Sequence, residues 1–468
     1  MKEIGRLVFF YDRLLINNFA FEIFKIMSVV LIKILQVVLA FSILVLIHEF
    51  GHFIFARLFK IRVEKFYLFF NPWFSLFKFK PKNSDTEYGV GWLPLGGYCK
   101  IAGMIDESMD MESLKTEPQP WEYRAHPAWQ RLFVIAGGVL FNFILAILIY
   151  AGIMYTWGDE YIKNSDVKTG IYVNRLAEEV GFRNGDIILD FDGLVPNNFN
   201  ELQIDLVRSQ AEHARVLRNG DTVVINIDPV YFPAMLKTPG MFEYGIPFCV
   251  ASVPDSSINA ASGLLSGDRI LALNGQKAEM LMEVKDKLQG FKGDSVVATV
   301  ARGEELLLVP LQVDTAGMLQ IAINGNLTDF YPITKSSYTL VQSIPAGFDK
   351  AVTTVSNYWK ELKLIVSPKT EAYKSVGSFI SIGKIFPDRW NWRAFWSITA
   401  FLSIMLAVLN ILPIPALDGG HIMFTLYEII TRRKPSDRFM EYAQMAGMIF
   451  LFGLMILAFG NDIFRLFS

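Results

Sequence analysis

The stretch Val37-Val-Leu-Ala-Phe-Ser-Ile-Leu-Val-Leu-Ile47-His48-Glu49-Phe50-Gly51-His52 decides the reading, because it sets metal-ligand chemistry at the end of an apolar run suited to a bilayer. On a helix, residues four apart share a face. His48 and His52 can therefore reach one Zn²⁺ while Glu49 stands beside a water on the ion. The pattern reads as H-E-x-x-H. Chance is the alternative, but the chain has only five histidines.

Composition points to a membrane independently of that motif. Hydrophobic residues make up 52% of the 468, aromatic residues 14% and charged residues 19%. Soluble domains carry more charge. A net charge of −2 gives no basis for binding nucleic acid. The two cysteines, Cys99 and Cys249, are too few for a disulfide framework and lack the spacing of a thiolate metal site.

A spanning helix needs about 20 mainly apolar residues. Four stretches qualify, approximately Met27 to Phe55, Leu132 to Trp157, Phe395 to Leu412 and Met445 to Phe459. The first is too long for a signal peptide. Arg432, Arg433, Lys434 and Arg438 put the link between the last two spans in the cytoplasm, and the basic segment from Arg57 to Lys82 shares that side. The long segment from about Gly158 to Arg393 then faces the opposite compartment. Lys2, Arg6, Arg13 and Lys25 argue against export of residues 1–26, so translation is expected to begin at Met27.

The long segment contains a repeat. Gly181-Phe-Arg-Asn-Gly185-Asp186-Ile-Ile-Leu-Asp-Phe-Asp192-Gly193 aligns with Gly263-Leu-Leu-Ser-Gly267-Asp268-Arg-Ile-Leu-Ala-Leu-Asn274-Gly275. Each copy predicts a Gly-Asp turn, a strand and a tight Asp-Gly or Asn-Gly hairpin, followed by a helix and further strands. The pattern resembles the PDZ domain, whose sheet edge accepts an extended peptide. Two packing or spacer domains are the plainer reading.

Catalytic zinc generally takes three protein ligands and a water. Glu64 and Glu122 lie among polar or basic residues. Asp418 follows the third apolar run in Asn410-Ile-Leu-Pro413-Ile-Pro415-Ala-Leu417-Asp418-Gly419-Gly420-His421. A carboxylate at the edge of hydrocarbon is costly unless paired, and a dication would more than compensate. The prolines interrupt the helix and the glycines let the backbone turn closely. Asp418 as an N-cap for His421 to Thr431 is the competing role. Asn410 is a candidate substrate contact, and His421 a weaker candidate for the metal.

With H-E-x-x-H in the first span, tandem PDZ-like repeats and the Asn410 to Gly420 motif, the chain resembles the site-2 proteases, in their bacterial RseP branch. Thr86-Glu87-Tyr88, Pro94-Leu95-Gly96-Gly97-Tyr98, Asn142-Phe143 and Asn461-Asp462 also resemble that branch. The resemblance implies an α-helical integral membrane protein of four transmembrane helices plus a membrane-associated β-hairpin within Val63 to Lys100, with two tandem α+β PDZ-like extramembrane domains. It implies zinc on His48, His52 and Asp418, Glu49 as general base and Asn410 on the substrate. The implied activity is cleavage within transmembrane segments of single-span partners already trimmed by another protease, such as anti-sigma factors or remnant signal peptides. The implied location is the bacterial inner membrane, with periplasmic PDZ domains and the active site towards the cytoplasm. Two motifs depart from the branch: Gly138 follows Ala136-Gly137 where Pro is usual, and Gly377-Ser378 stands where Gly-Pro is common.

The expected layout is an extension over 1–26, spans over 27–56 and 132–157, a cytoplasmic or reentrant β region over 57–131, and PDZ-like domains over 158–240 and 241–325. A connecting region over 326–393, a third span with the Leu-Asp-Gly motif over 394–431, a loop over 432–444, and a last span and tail over 445–468 follow. An acidic loop is expected at Met104 to Gln119. A PDZ scaffold with a vestigial metal site is the alternative function; a transporter is disfavoured because the chain lacks an inverted repeat.

Overall fold

The computed structural model describes residues 2–94, 96–104 and 117–467; the acidic stretch 105–116 lies outside the described residues. The chain divides into two compact units. One comprises Met1–Gly158, Ser337–Trp359 and Val376–Ser468, the other Asp159–Ser336 and Lys360–Ser375.

The first unit is built on helices α1 (Lys2–Leu58), α2 (Ala128–Thr156), α3 (Leu340–Val366, in this unit as far as Trp359), α4 (Phe379–Ile385), α5 (Trp392–Ile411), α6 (Asp418–Thr431) and α7 (Asp437–Phe467). Four stretches are long and apolar enough to cross a bilayer: Met27–Leu58, Ala128–Thr156, Trp392–Ile411 and Arg438–Phe464. These are the four expected spans, with the last beginning earlier because the helix continues through the polar turn before Met445. Asn391 caps α5, its side chain accepting from the Ala394 N–H, and Pro413 stops that helix one turn before Asp418. Helix α3 was not expected. It sets Val341, Ile344, Phe348 and Val352 along one exposed face, and Gly347 lets it approach the backbone of Ala151.

The region after α1 corrects the expected β-hairpin. Strands β1 (Val63–Leu68), β2 (Phe70–Phe79), β3 (Glu87–Leu93) and β4 (Tyr98–Ile101) form a mixed sheet in the order β2-β3-β1-β4. β1 runs parallel to β3 and antiparallel to β4, while β2 and β3 pair antiparallel. The aromatic run 66–70 divides because Phe69 is left-handed at φ 71°, which turns the chain and starts a second strand. Glycine lets the strands close up: a Cβ on Gly91 would stand 2.1 Å from the Phe70 carbonyl oxygen. β4 is an edge strand, and β2 exposes Trp73, Phe74, Leu76 and Phe77.

The second unit carries the repeat as structure. Ile187–Phe191 and Arg269–Leu273 are strands, and each is followed by a helix, Leu202–Ser209 or Leu281–Leu288, and then by a hairpin, His213–Asn226 or Ser295–Gln312. Asp192 and Gly193 adopt φ 48° and 85°, Asn274 and Gly275 φ 48° and 76°. Two successive positive φ values are the signature of the tight turn that the sequence predicts. The boundary expected at 240/241 is crossed, because Phe242–Tyr244 pairs with Ile171–Val173 and closes the first copy. The equivalent strand of the second copy, Ala322–Asn324, pairs with Cys249–Ser252.

Each copy buries the aspartate of its Gly-Asp turn against an arginine. Asp186 receives Arg218 at 2.7 Å, and Asp268 receives Arg302 at 2.7 Å. The Arg302 hydrogen bonds hold the Asp268 carboxyl below the usual carboxylate range. A depressed native value stabilises the fold above the unfolded value, near 3.9, and the contribution is lost as pH falls through the native value. Asp268→Asn should therefore lower the urea midpoint of the unit at pH 7 and flatten its decline below about pH 4; unchanged unfolding curves would refute the pairing.

Candidate metal centre

Glycine brings α2 against the two histidines of α1. A Cβ on Gly138 would lie 2.5 Å from His52 Nε2 and 2.6 Å from His48 Cε1. A Cβ on Gly51 would lie 2.2 Å from the Gly137 carbonyl oxygen, and one on Gly137 2.4 Å from that of Gly51. Backbones this close need small residues, as in membrane helix pairs generally. Gly138 thus supplies room for both imidazoles, and α2 runs unbroken through it.

The rings are also held from α2. His52 Nδ1 sits 2.9 Å from the Val134 carbonyl oxygen. A carbonyl only accepts, so Nδ1 carries the proton and Nε2 keeps a free lone pair. His48 Nδ1 lies 3.1 Å from the Asn142 side-chain amide, which is fully buried. The two Nε2 atoms are 3.3 Å apart.

Asp418 arrives from the other end of the chain. Residues 412–417 are non-helical, and Ala416 is left-handed at φ 84°, a conformation that costs a residue with a Cβ on the order of 1 kcal/mol or more. Gly419 and Gly447 admit the tight turn: a Cβ on Gly419 would meet the Leu412 carbonyl at 2.0 Å, and one on Gly447 would clash with the Pro415 carbonyl. Asp418 opens α6 but does not cap it; Leu417 holds the cap position, with no side-chain cap bond. Its Oδ2 lies instead 3.3 Å from His48 Nε2 and 3.5 Å from His52 Nε2.

These contacts are at ion-pair distance, yet Asp418 Oδ2 is buried without a hydrogen-bond partner. Three lone-pair atoms facing one point repel one another unless a cation lies between them. A tetrahedral zinc with bonds of about 2.0–2.1 Å requires ligand atoms about 3.3–3.4 Å apart. The observed triangle, 3.3, 3.3 and 3.5 Å, fits that requirement, and the orphaned oxygen and the two-nitrogen, one-oxygen donor set suit the ion.

The group opens into a cavity of about 520 Å³ that Glu49, Asn410, His421 and the β4 residues Tyr98 to Ile101 also line. The Cys99 backbone N–H donates to the Glu49 carboxylate, so the edge strand positions that side chain. Asn410 Nδ2 stands 3.4 Å from His48 Nε2. The structure thus brings His48, Glu49, His52, Asn410 and Asp418 together. Glu64 and Glu122 are engaged elsewhere, by Lys100 at 3.6 Å and Arg124 at 2.5 Å. His421 lines the cavity outside the three-atom group. Sequence reasoning assigned no role to Gly138 or Asn142; the signal for Asn142 was a lone amide within an apolar span.

Comparison with known proteins shows the family. The model of peptidase family M50 matches residues 36–454. The chain belongs to peptidase family M50. Relatives carrying the name "Putative zinc metalloprotease" include one from Clostridium perfringens, 29% identical across 91% of this chain and 96% of its own. Others come from Xylella fastidiosa, 27% identical across 91% and 97%, and Neisseria meningitidis, 27% across 92% and 99%. A solved PDZ domain of the SdrC-like protein from Listeria monocytogenes is 25% identical over 18% of this chain and 94% of its own, with a TM-score of 0.16, too low to bear on the fold.

Gly138→Ala should displace both imidazoles and lower metal affinity by at least about tenfold. Gly152→Ala, on the same helix with open space around it, should leave it unchanged; metal content after dialysis against a chelator distinguishes the two.

Proposed function

We propose that this M50 peptidase is an intramembrane zinc metalloendopeptidase that hydrolyses peptide bonds within transmembrane segments of other membrane proteins. The convergence of His48 Nε2, His52 Nε2 and Asp418 Oδ2 on one point carries the reading. Those three atoms would hold the zinc. When bound, zinc supplies Lewis-acid chemistry, acidifying a water and polarising the scissile carbonyl.

The rest of the work falls to the chain. Glu49, fixed by the Cys99 N–H, takes a proton from the attacking water on its carboxylate and delivers it to the leaving amide nitrogen. Asn410 Nδ2 donates to the substrate carbonyl oxygen. A transmembrane helix hides its amides in its own hydrogen bonds, so the substrate must unwind before attack. The edge strand β4, beside Glu49, is where the unwound substrate would add as a further strand.

Asn142 is a positioning residue in this scheme. Its Oδ1 is buried and unpartnered while its Nδ2 faces His48 Nδ1. Turning the amide over makes Oδ1 the acceptor for an Nδ1 proton, gives His48 the tautomer of His52, and frees both Nε2 lone pairs for zinc.

The biological setting follows from the same reading: regulated intramembrane proteolysis in a bacterial inner membrane, on anti-sigma-factor-like regulators or remnant signal peptides trimmed by an earlier protease. The repeated strand, helix and hairpin copies act as tandem PDZ domains on the periplasmic side that admit only trimmed substrates. The basic link after α6, with Arg432, Arg433 and Lys434, faces the cytoplasm.

Purified full-length protein with a single-span model substrate tests the reading. Glu49→Gln should keep zinc and lose about 10²–10⁴-fold in cleavage rate, whereas His48→Ala or Asp418→Ala should lose zinc as well. Near-wild-type proteolysis by Glu49→Gln would defeat the mechanism. Asn142→Leu should weaken zinc binding about 10–100-fold, and Asn142→Asp, which keeps the acceptor, should restore it; equal affinity in both would remove Asn142 from the scheme.

A further inference from the structure

A second polar cavity lies where the first span ends. Helix α1 closes with Lys60 left-handed at φ 62°. The Ile61 N–H donates to the Ala56 carbonyl at 2.8 Å, and the Lys60 N–H to that of Arg57 at 3.1 Å. This paired cap reverses the chain in two residues. The Arg62 N–H then donates to the Trp121 carbonyl at 2.9 Å, fixing Trp121 beside the turn. Arg57, Lys60 and Arg62 come to share a cavity of about 510 Å³ with Ile61, Asp85 and Trp121.

The charges in this cavity do not cancel. Three cations face one carboxylate, and Asp85, largely exposed, reaches only Arg62, at 3.6 Å. No ion pair engages Arg57 or Lys60 among the described residues. The Arg62 Nε is buried with no hydrogen-bond partner. Between Arg57 and Lys60 the chain is apolar, with Leu58 and Phe59. Leu58, Trp129 and Phe133 are exposed, and the Phe59 ring meets that of Trp129 at 5.3 Å. Cations set at the end of a spanning helix, a half-exposed tryptophan and an adjoining apolar wall are what a phospholipid presents its complement to: anionic oxygens at the interface and acyl chains alongside.

We propose that this cavity binds the phosphate of an anionic phospholipid, with Arg57, Lys60 and Arg62 donating to its oxygens and the acyl chains lying along Leu58, Trp129 and Phe133. A cation near the membrane surface contributes about 1 kcal/mol to such binding, so each one removed should weaken affinity about fivefold. The site is separate from the metal group and does not depend on the proposed peptidase chemistry.

The test is a thermal-shift titration of the full-length protein in detergent with phosphatidylglycerol, phosphatidylcholine or inorganic phosphate. Phosphatidylglycerol should raise the midpoint in the wild type. Phosphatidylcholine, which offsets its phosphate with choline, should do so at much higher concentration. Arg57→Gln combined with Arg62→Gln should shift the phosphatidylglycerol titration by about 25-fold. Lys60→Asn, which tolerates the left-handed cap, should shift it about fivefold and serves if the double variant does not fold. Equal phosphatidylglycerol titrations in wild type and variants would overturn the proposal. Protection by inorganic phosphate matching that by the lipid would overturn the lipid seat and leave a small-anion site.

Discussion

Three atoms with lone pairs, two imidazole nitrogens and one carboxylate oxygen, are held 3.3–3.5 Å apart within a largely apolar helix bundle. Without a cation that arrangement is repulsive and desolvated; with one, it is a ligand set. Much of the first unit serves to bring it about. α1 supplies both imidazoles, α2 turns them, and the broken segment between α5 and α6 swings the carboxylate in from more than 360 residues along the chain. The β4 edge then positions the proposed base beside the group through the Cys99 N–H.

Close backbone approach is the second requirement, and glycine meets it three times. Gly51 and Gly137 let α1 and α2 touch, Gly138 yields its side-chain volume to the two histidines, and Gly419 with Gly447 folds the Pro-rich turn under Asp418. In hydrocarbon there is little hydrophobic drive between helices, so such contacts and the few polar ones do the holding. The Ala416 backbone at φ 84° is the strained element this packing maintains.

The sequence was informative where the physics is local or periodic. His48 and His52 reveal themselves by a four-residue spacing, the spans by apolar length, the repeat by Gly-Asp and Asp-Gly turns whose positive φ values appear as read, and Asp418 by the cost of a carboxylate beside hydrocarbon. What it hid is set by approach between distant segments. The mixed sheet depends on the parallel pairing of β1 with β3, which no turn signal announces, and on the left-handed Phe69, an unusual residue for that conformation. Gly138 and Asn142 acquire meaning only once α2 is known to cross α1 at the histidines. Helix α3 did have a readable pattern, Val341, Ile344, Phe348 and Val352 at helical spacing around Pro345, within the stretch read only as a connecting region.

X-ray absorption at the zinc edge on the purified full-length protein tests the central claim most directly. One zinc per chain with two imidazole nitrogens and oxygen donors at about 2.0–2.1 Å, lost in Asp418→Ala, is the predicted result. A chain that holds no zinc, or that holds it through sulfur with Asp418→Ala unchanged, would contradict the account.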